Sequence, residues 1–196
     1  NVSSFIERCA DSLMNQTLQD VEFIFVNDAT LDNSIEILEG VLATYPNRNA
    51  RIVTHNQNKG LPAARNTGLA VATGEYIFHC DGDDYVESNM LEALYKKAKA
   101  EDADMVYCDF FITFEKNERY MGVGDFTQGD ATLRAMLDGA MKYNVWNKLV
   151  RRSLYVDNNI TFPAGYGMGE DMTMIMLAAR AKKVAYVTQA FYHYVK

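Results

Sequence analysis

Apolar positions recur along this chain with two periods, one helical and one extended, and the two alternate. Over residues 4–15, Phe5, Ile6, Cys9, Leu13 and Met14 share one helical face. The run Val21-Glu22-Phe23-Ile24-Phe25-Val26 then reads as a strand that ends at Asn27-Asp28. Asp32 or Asn33 suits the cap of a second helix whose Ile35, Leu38 and Leu42 share a face, with Pro46-Asn47 in the turn beyond. Arg51-Ile52-Val53-Thr54 predicts another strand. Pro62 suits the first turn of a helix running to about Ala72, Gly74 can end it, and a short apolar strand over 75–80 follows. A helix over 89–100 turns Leu91, Leu94, Tyr95 and Ala98 inward and leads to a strand over 105–113. This alternation predicts an α/β fold, a mainly parallel sheet flanked by helices with its ligands at the carboxyl ends of the strands. A doubly wound sheet ordinarily opens with a strand, yet residue 1 lies almost at a helix. A first strand is therefore expected to be missing from this numbering.

After residue 114 the pattern loosens. Residues 115–129 form a polar, glycine-bearing stretch before a helix at about 130–138, and 143–169, rich in aromatic, basic and glycine residues, reads as loops over a site. A helix over 170–181 and strands near 184–188 and 190–195 close the chain. Met172, Met174 and Met176 in that helix read as packing residues.

Composition narrows the function. With 196 residues, 48% of them apolar and 23% charged, the chain suits a soluble globular domain. Its formal net charge of −7 disfavours nucleic acid, whose binding leans on clustered Lys and Arg. Cys9, Cys80 and Cys108 are odd in number and widely spaced, which suggests neither a disulfide framework nor a zinc site. A cytoplasmic setting is expected, and no apolar run approaches the ~20 residues of a membrane span. Action at the inner face of the membrane stays open, because a peripheral enzyme need not span it.

The strand over 75–80 stops on Asp81-Gly82-Asp83-Asp84. An isolated Asp-x-Asp is common turn chemistry. Here Gly82 would let the backbone turn so that Asp81 and Asp83 face one point, and carboxylates that close repel unless a cation intervenes. Mg²⁺ or Mn²⁺, hard ions that keep open positions for phosphate, are the expected occupants.

Four stretches fall in a recognisable order: Phe25 to Asp32, the run Asn58-Lys59-Gly60-Leu61-Pro62-Ala63-Ala64-Arg65-Asn66-Thr67-Gly68, Asp81 to Asp84, and Gly169-Glu170-Asp171. Together they resemble the family 2 glycosyltransferases of the GT-A fold, which transfer a sugar from a nucleotide diphosphate donor. Trp146-Asn147-Lys148-Leu149 ahead of the Glu170-Asp171 pair resembles bacterial members that build capsular or other surface polysaccharides. The resemblance implies a donor half over 1–114 and an acceptor-side half over 115–196 of one domain.

By the same resemblance, Asp28 accepts a hydrogen bond from the base, typically uracil N3–H, and UDP-sugars are the expected donors. Where the family usually has Asp-Asp-Gly-Ser, this chain has Asn27-Asp28-Ala29-Thr30. Asn27 and Lys59 fall in the nucleotide segment, and Arg65 would hold the base or phosphate region. Asp83 would ligate the metal ion and Asp81 the ribose or a metal-bound water, with Asp84 a third acid or a cap. Asp171 matches the catalytic base, with Glu170 as its support, and attack opposite the leaving diphosphate would invert the anomeric carbon. Trp146, Asn147 and Lys148 are candidates for the saccharide or lipid-linked acceptor, Arg151 and Arg152 for a phosphate, and His193 for a further metal ligand. A catalytically silent nucleotide-sugar-binding module is the alternative; it would keep Asp28 and Asp83 but need not keep Asp171. The chain lacks the glycine signatures of P-loop hydrolases and dinucleotide dehydrogenases.

Overall fold

The computed structural model describes residues 1–165 and 169–196. Its elements run, in order, α1 (Ile6–Met14), β1 (Glu22–Asn27), α2 (Ser34–Ala43), β2 (Asn49–Thr54), α3 (Leu61–Val71), β3 (Tyr76–Phe78), β4 (Tyr85–Val86) and α4 (Met90–Glu101). Then come β5 (Met105–Thr113), β6 (Glu118–Met121), α5 (Ala131–Leu137), β7 (Lys148–Arg151), α6 (Arg152–Asp157), α7 (Glu170–Arg180) and β8 (Val184–Val195). The expected strand and helix alternation is present, and the two longest ladders, β1 with β2 and β5 with β8, are parallel. Four shorter antiparallel ladders join β3 to β7, β7 to β5, β6 to β5 and β4 to β8.

β5 is the spine of the larger sheet. Met105 to Cys108 are fully buried, and their side chains alternate between two cores as a pleated strand requires. Val106 and Cys108 face a cluster with Cys9, Leu13, Met90 and Leu94 of α1 and α4. Met105 and Tyr107 face the opposite cluster, with Met136, Leu154, Met174 and Leu177 of α5, α6 and α7. Each face of the strand therefore has its own helical cover, which accounts for the uninterrupted apolar run.

β1 and β2 form a separate pair, hydrogen-bonded to each other and not to the larger sheet. A cleft of about 1220 Å³ lies between β1 and β3, walled by Phe23, Phe25, Ile77 and Phe78. At its floor the Glu22 carboxylate accepts hydrogen bonds from the backbone N–H groups of Thr73 and Gly74, so β1 and β3 begin at the same end.

Several expectations are corrected. The polar stretch 115–129 contains β6, which folds back on β5, and the segment 143–169 contains β7 and α6; its residues 166–168 lie outside the described residues. The two strands expected after residue 184 are one strand, β8, whose register against β5 shifts between Cys108 and Phe110. Thr188 and Gln189 are exposed at that irregularity, which is what a break between strands looks like in sequence.

The acceptor candidates Trp146, Asn147 and Lys148 are all buried. Trp146 stacks on Tyr192 and Tyr194 and meets Phe110 edge-on. The Lys148 ammonium donates to the carbonyls of Lys142 and Asn144 and to Asn147 Oδ1, at 3.2, 2.6 and 2.9 Å, while Asn147 Nδ2 donates to the Cys108 carbonyl. These bonds close the 142–148 turn and fasten it through Asn147 to the spine, so the three side chains are already engaged within the protein. His193 is likewise structural, stacked between Tyr85 and Phe111 and hydrogen-bonded to Glu87 and Thr113. Arg151 pairs with Asp102 and Asp104, so it is not a free phosphate ligand, whereas Arg152 donates through Nε to the Ala72 carbonyl.

Burial pulls the Lys148 ammonium down to about 7, so its three acceptors are what keeps a cation tolerable there. Lys148→Met should leave those acceptors unsatisfied and cost about 2–4 kcal/mol in chemical unfolding, where a surface lysine would cost almost nothing.

Candidate active site

The site lies where β1, β2 and β3 end. Asp28 is the first residue past β1 and His55 the first past β2. Because Asn27 pairs with Thr54, the two leave the ladder side by side. Asp28 Oδ1 accepts from His55 Nδ1 at 2.7 Å and from the Lys59 N–H at 2.8 Å, while Oδ2 accepts from the Gly60 N–H at 2.8 Å. Burial works against ionisation, but these three bonds hold the Asp28 carboxyl below its usual value. Asn27 Oδ1 accepts the Thr30 N–H, closing a turn that carries Ala29 through a φ of 55°. An L-residue is strained there, and this is the position at which the resembling family has glycine.

Asp81 leaves β3 on the far side of the cleft. Its carboxylate is bonded by Arg65 Nη2 at 2.9 Å, and Arg65 Nη1 reaches the Glu170 carboxylate at the start of α7. The Arg65 side chain is only 6% exposed, and its guanidinium lies over the Phe162 ring, 5.5 Å from the centroid. One buried cation from α3 thus ties the loop after β3 to the first turn of α7. Burial raises the Asp81 carboxyl above its usual value; Arg65 opposes this, and the Glu170 and Asp83 charges add to it. Three acids therefore crowd one cation. Arg65, expected to hold the base or phosphate region, lines the cleft with each Nη bonded to a protein carboxylate.

Asp83 is exposed, with no side-chain partner among the described residues. Asp84 is buried instead, accepting from the Tyr192 hydroxyl at 2.7 Å and the Val195 N–H at 2.9 Å; it anchors β8 to the turn. Gly82 is not among the glycines with positive φ, so the turn rests on Asp84 and not on glycine's freedom. Gly169, by contrast, has a φ of 152°, and a Cβ there would collide with the Pro163 ring, which fits only glycine at the entry to α7. Asp171 is exposed, and its Oδ1 accepts the Met172 N–H at 2.8 Å within the first helical turn.

No group of three or more His, Cys, Asp or Glu among the described residues forms a closed metal cage. A magnesium-like ion does not need one, since it is commonly held by one or two carboxylates together with substrate phosphates. Crowded Asp81 and free Asp83 fit that donor set.

Among the residues the sequence reading passed over, His55, Thr67 and Phe162 matter most. Their signal was available only in part: register places His55 beside Asp28, whereas Phe162 lies 97 positions from Arg65 in the chain and is joined to α3 by the fold. There, Asn66 exchanges two hydrogen bonds with the Phe162 backbone.

Residues 1–168 match the family model for glycosyl transferase family 2. The chain belongs to that family. Similar to it is the uncharacterized glycosyltransferase EpsJ of Bacillus subtilis (strain 168), 38% identical over 203 residues, covering 99% of this chain and 58% of that protein. Among solved structures, S. aureus TarS 1-349 in complex with UDP-GlcNAc superposes with a TM-score of 0.80 at 22% identity, covering 98% of this chain and 55% of TarS 1-349. The mannosyltransferase PcManGT from Pyrobaculum calidifontis, in complex with GDP-Man and Mn²⁺, gives 0.75 at 19% identity over 100% of this chain and 54% of that one. These likenesses establish the GT-A fold. The family 2 chain described here spans a little over half the length of these relatives.

The strain at Ala29 in this family 2 chain is testable. Ala29→Gly should stabilise the protein by about 0.5–1 kcal/mol in thermal or chemical unfolding, because the relief of left-handed strain exceeds glycine's entropic cost. A loss of stability would mean that the turn does not need positive φ in solution.

Proposed function

We propose that this chain transfers a sugar from a UDP-sugar to a hydroxyl of a saccharide or lipid-linked saccharide acceptor, with inversion, in the synthesis of bacterial surface polysaccharide. The observation that carries this reading is the convergence on one cleft of Asp28 and Asp81, past the carboxyl ends of β1 and β3, and, through Arg65, of Glu170 at the first turn of α7. A donor that joins a base, a diphosphate and a sugar matches that order of parts. A UDP-sugar bound by TarS and a GDP-sugar bound with Mn²⁺ by PcManGT support nucleotide-sugar chemistry on this fold.

In the proposed reaction, Asp28 receives the base, with Asn27 and Lys59 shaping the loop around it. Asp83 and Asp81 face the diphosphate. Bound with that diphosphate, Mn²⁺ or Mg²⁺ supplies Lewis-acid neutralisation of the charge that builds on the leaving group. The acceptor oxygen attacks the anomeric carbon as the bond to the diphosphate oxygen breaks, and the hydroxyl proton passes to a carboxylate. Asp171 suits that role better than its neighbour, because Glu170 is held by Arg65 whereas Asp171 is exposed and free of ion pairs among the described residues. Glu170 then acts as a support, set in place by the guanidinium. Among the described residues no helix is long and apolar enough to cross a membrane.

Calorimetric titration of UDP with and without Mn²⁺ is expected to show binding that needs the ion. Asp83→Ala should abolish ion-dependent binding and UDP release from UDP-sugars. Asp171→Asn should leave UDP affinity unchanged while lowering turnover about 10²–10⁴-fold, the usual range for loss of a general base. An equal loss of donor affinity in both variants would contradict this division of roles.

A further inference from the structure

His55 is a buried neighbour of the proposed base-binding acid. Its side chain is 6% exposed, against 18% for Asp28. A carboxylate only accepts, so the bond at 2.7 Å places a proton on His55 Nδ1. Nε2 meets Thr67 Oγ1 of α3 at 2.8 Å, and the His55 N–H donates to the Asn27 carbonyl at 2.9 Å. The imidazole is therefore fixed at both ring nitrogens and at its backbone, between β1, β2 and α3.

An ionised carboxylate offers about four lone-pair positions. Here His55 and the Lys59 N–H take both on Oδ1, and the Gly60 N–H takes one on Oδ2. One acceptor position remains, on the oxygen that is not held by the histidine. Uracil presents a single ring N–H, at N3. Guanine presents two donors side by side, N1–H and N2–H₂, whose complement is a carboxylate with both oxygens open. A guanine docked on Asp28 would leave one of its two donors unpaired, and an unpaired buried polar group carries a substantial penalty.

We infer that His55, held by Thr67, is a positioning residue for donor-base choice: by saturating Asp28 Oδ1 it leaves a monodentate acceptor that selects a uridine over a guanosine diphosphate donor. The inference rests on the proposed role of Asp28 and adds the residue that sets its selectivity. Asp28 alone could serve either base, and the fold does not decide the matter, since the two solved relatives carry one of each.

The test is calorimetric titration of UDP and GDP, each with Mn²⁺, into wild type, His55→Leu and His55→Asn. Wild type is expected to prefer UDP by about 10- to 100-fold, the price of one unpaired donor. His55→Leu, shown to be folded by circular dichroism, should lose most of that ratio, whereas His55→Asn, whose amide N–H can replace Nδ1–H, should keep it. A folded His55→Leu protein with the wild-type ratio, or a wild type that binds GDP as tightly as UDP, would overturn the inference. Failure of wild type to bind either nucleotide would overturn the donor-site reading beneath it. A ligand-free readout keeps the two apart: ¹⁵N NMR of the His55 ring should show the proton on Nδ1, and a ring protonated at Nε2 alone would refute the positioning role even in protein that binds UDP.

Discussion

A single buried guanidinium holds this site together. Arg65 projects from α3 and grips Asp81 from the turn after β3 and Glu170 from the first turn of α7. Without it, the Asp81 and Glu170 carboxylates would lie close together uncompensated, in a protein already carrying a net charge of −7. The burial that raises Asp81 makes the pairing worth more than a surface ion pair, because removal of one partner strands the others. Phe162 beneath the guanidinium, and Asn66 clasping the Phe162 backbone, keep the cation from turning to solvent. Through these contacts the strands that would bind a donor and the helix that would carry the base become one rigid unit.

The two sides of the cleft are built on different physics. On the Arg65 side, like charges are balanced by one cation and remain open to a second, which suits a phosphate-bearing ligand arriving with a metal ion. On the Asp28 side, a carboxylate is enclosed by N–H donors and a histidine, so its charge is already satisfied and its remaining capacity is directional. Charge neutralisation and hydrogen-bond selection are thus kept apart by the width of the cleft.

Much of this was legible in the chain. Among the described residues the sequence pattern located six of the seven helices, most of which have a clear apolar face and a Gly, Pro or polar residue at their ends. The order of the four motif stretches, through their resemblance to family 2, implied the GT-A fold. What sequence could not supply was direction. Glu170 and Asp171 are adjacent and chemically alike, yet one is clamped and the other exposed, a difference set by a helix start that depends on Gly169 passing Pro163. Trp146, Asn147 and Lys148 look like an acceptor surface because they are aromatic, polar and basic. They are buried because a stack of tyrosines, the Cys108 carbonyl of β5 and the carbonyls of the preceding turn complete them. Arg65 was read as a ligand contact for the same reason: its two partners lie 16 and 105 residues away. β4 and β6 were missed because short strands draw their stability from a partner strand and carry little local pattern.

Arg65 couples α3 and the turn after β3 to the first turn of α7 energetically. A double-mutant cycle of Arg65→Gln and Glu170→Gln, read by urea unfolding, measures that coupling directly. The account predicts strong non-additivity, about 1–3 kcal/mol, as for contacting residues in one buried network. Additivity within about 0.5 kcal/mol would contradict it, leaving Glu170 and the guanidinium as neighbours that do not hold each other.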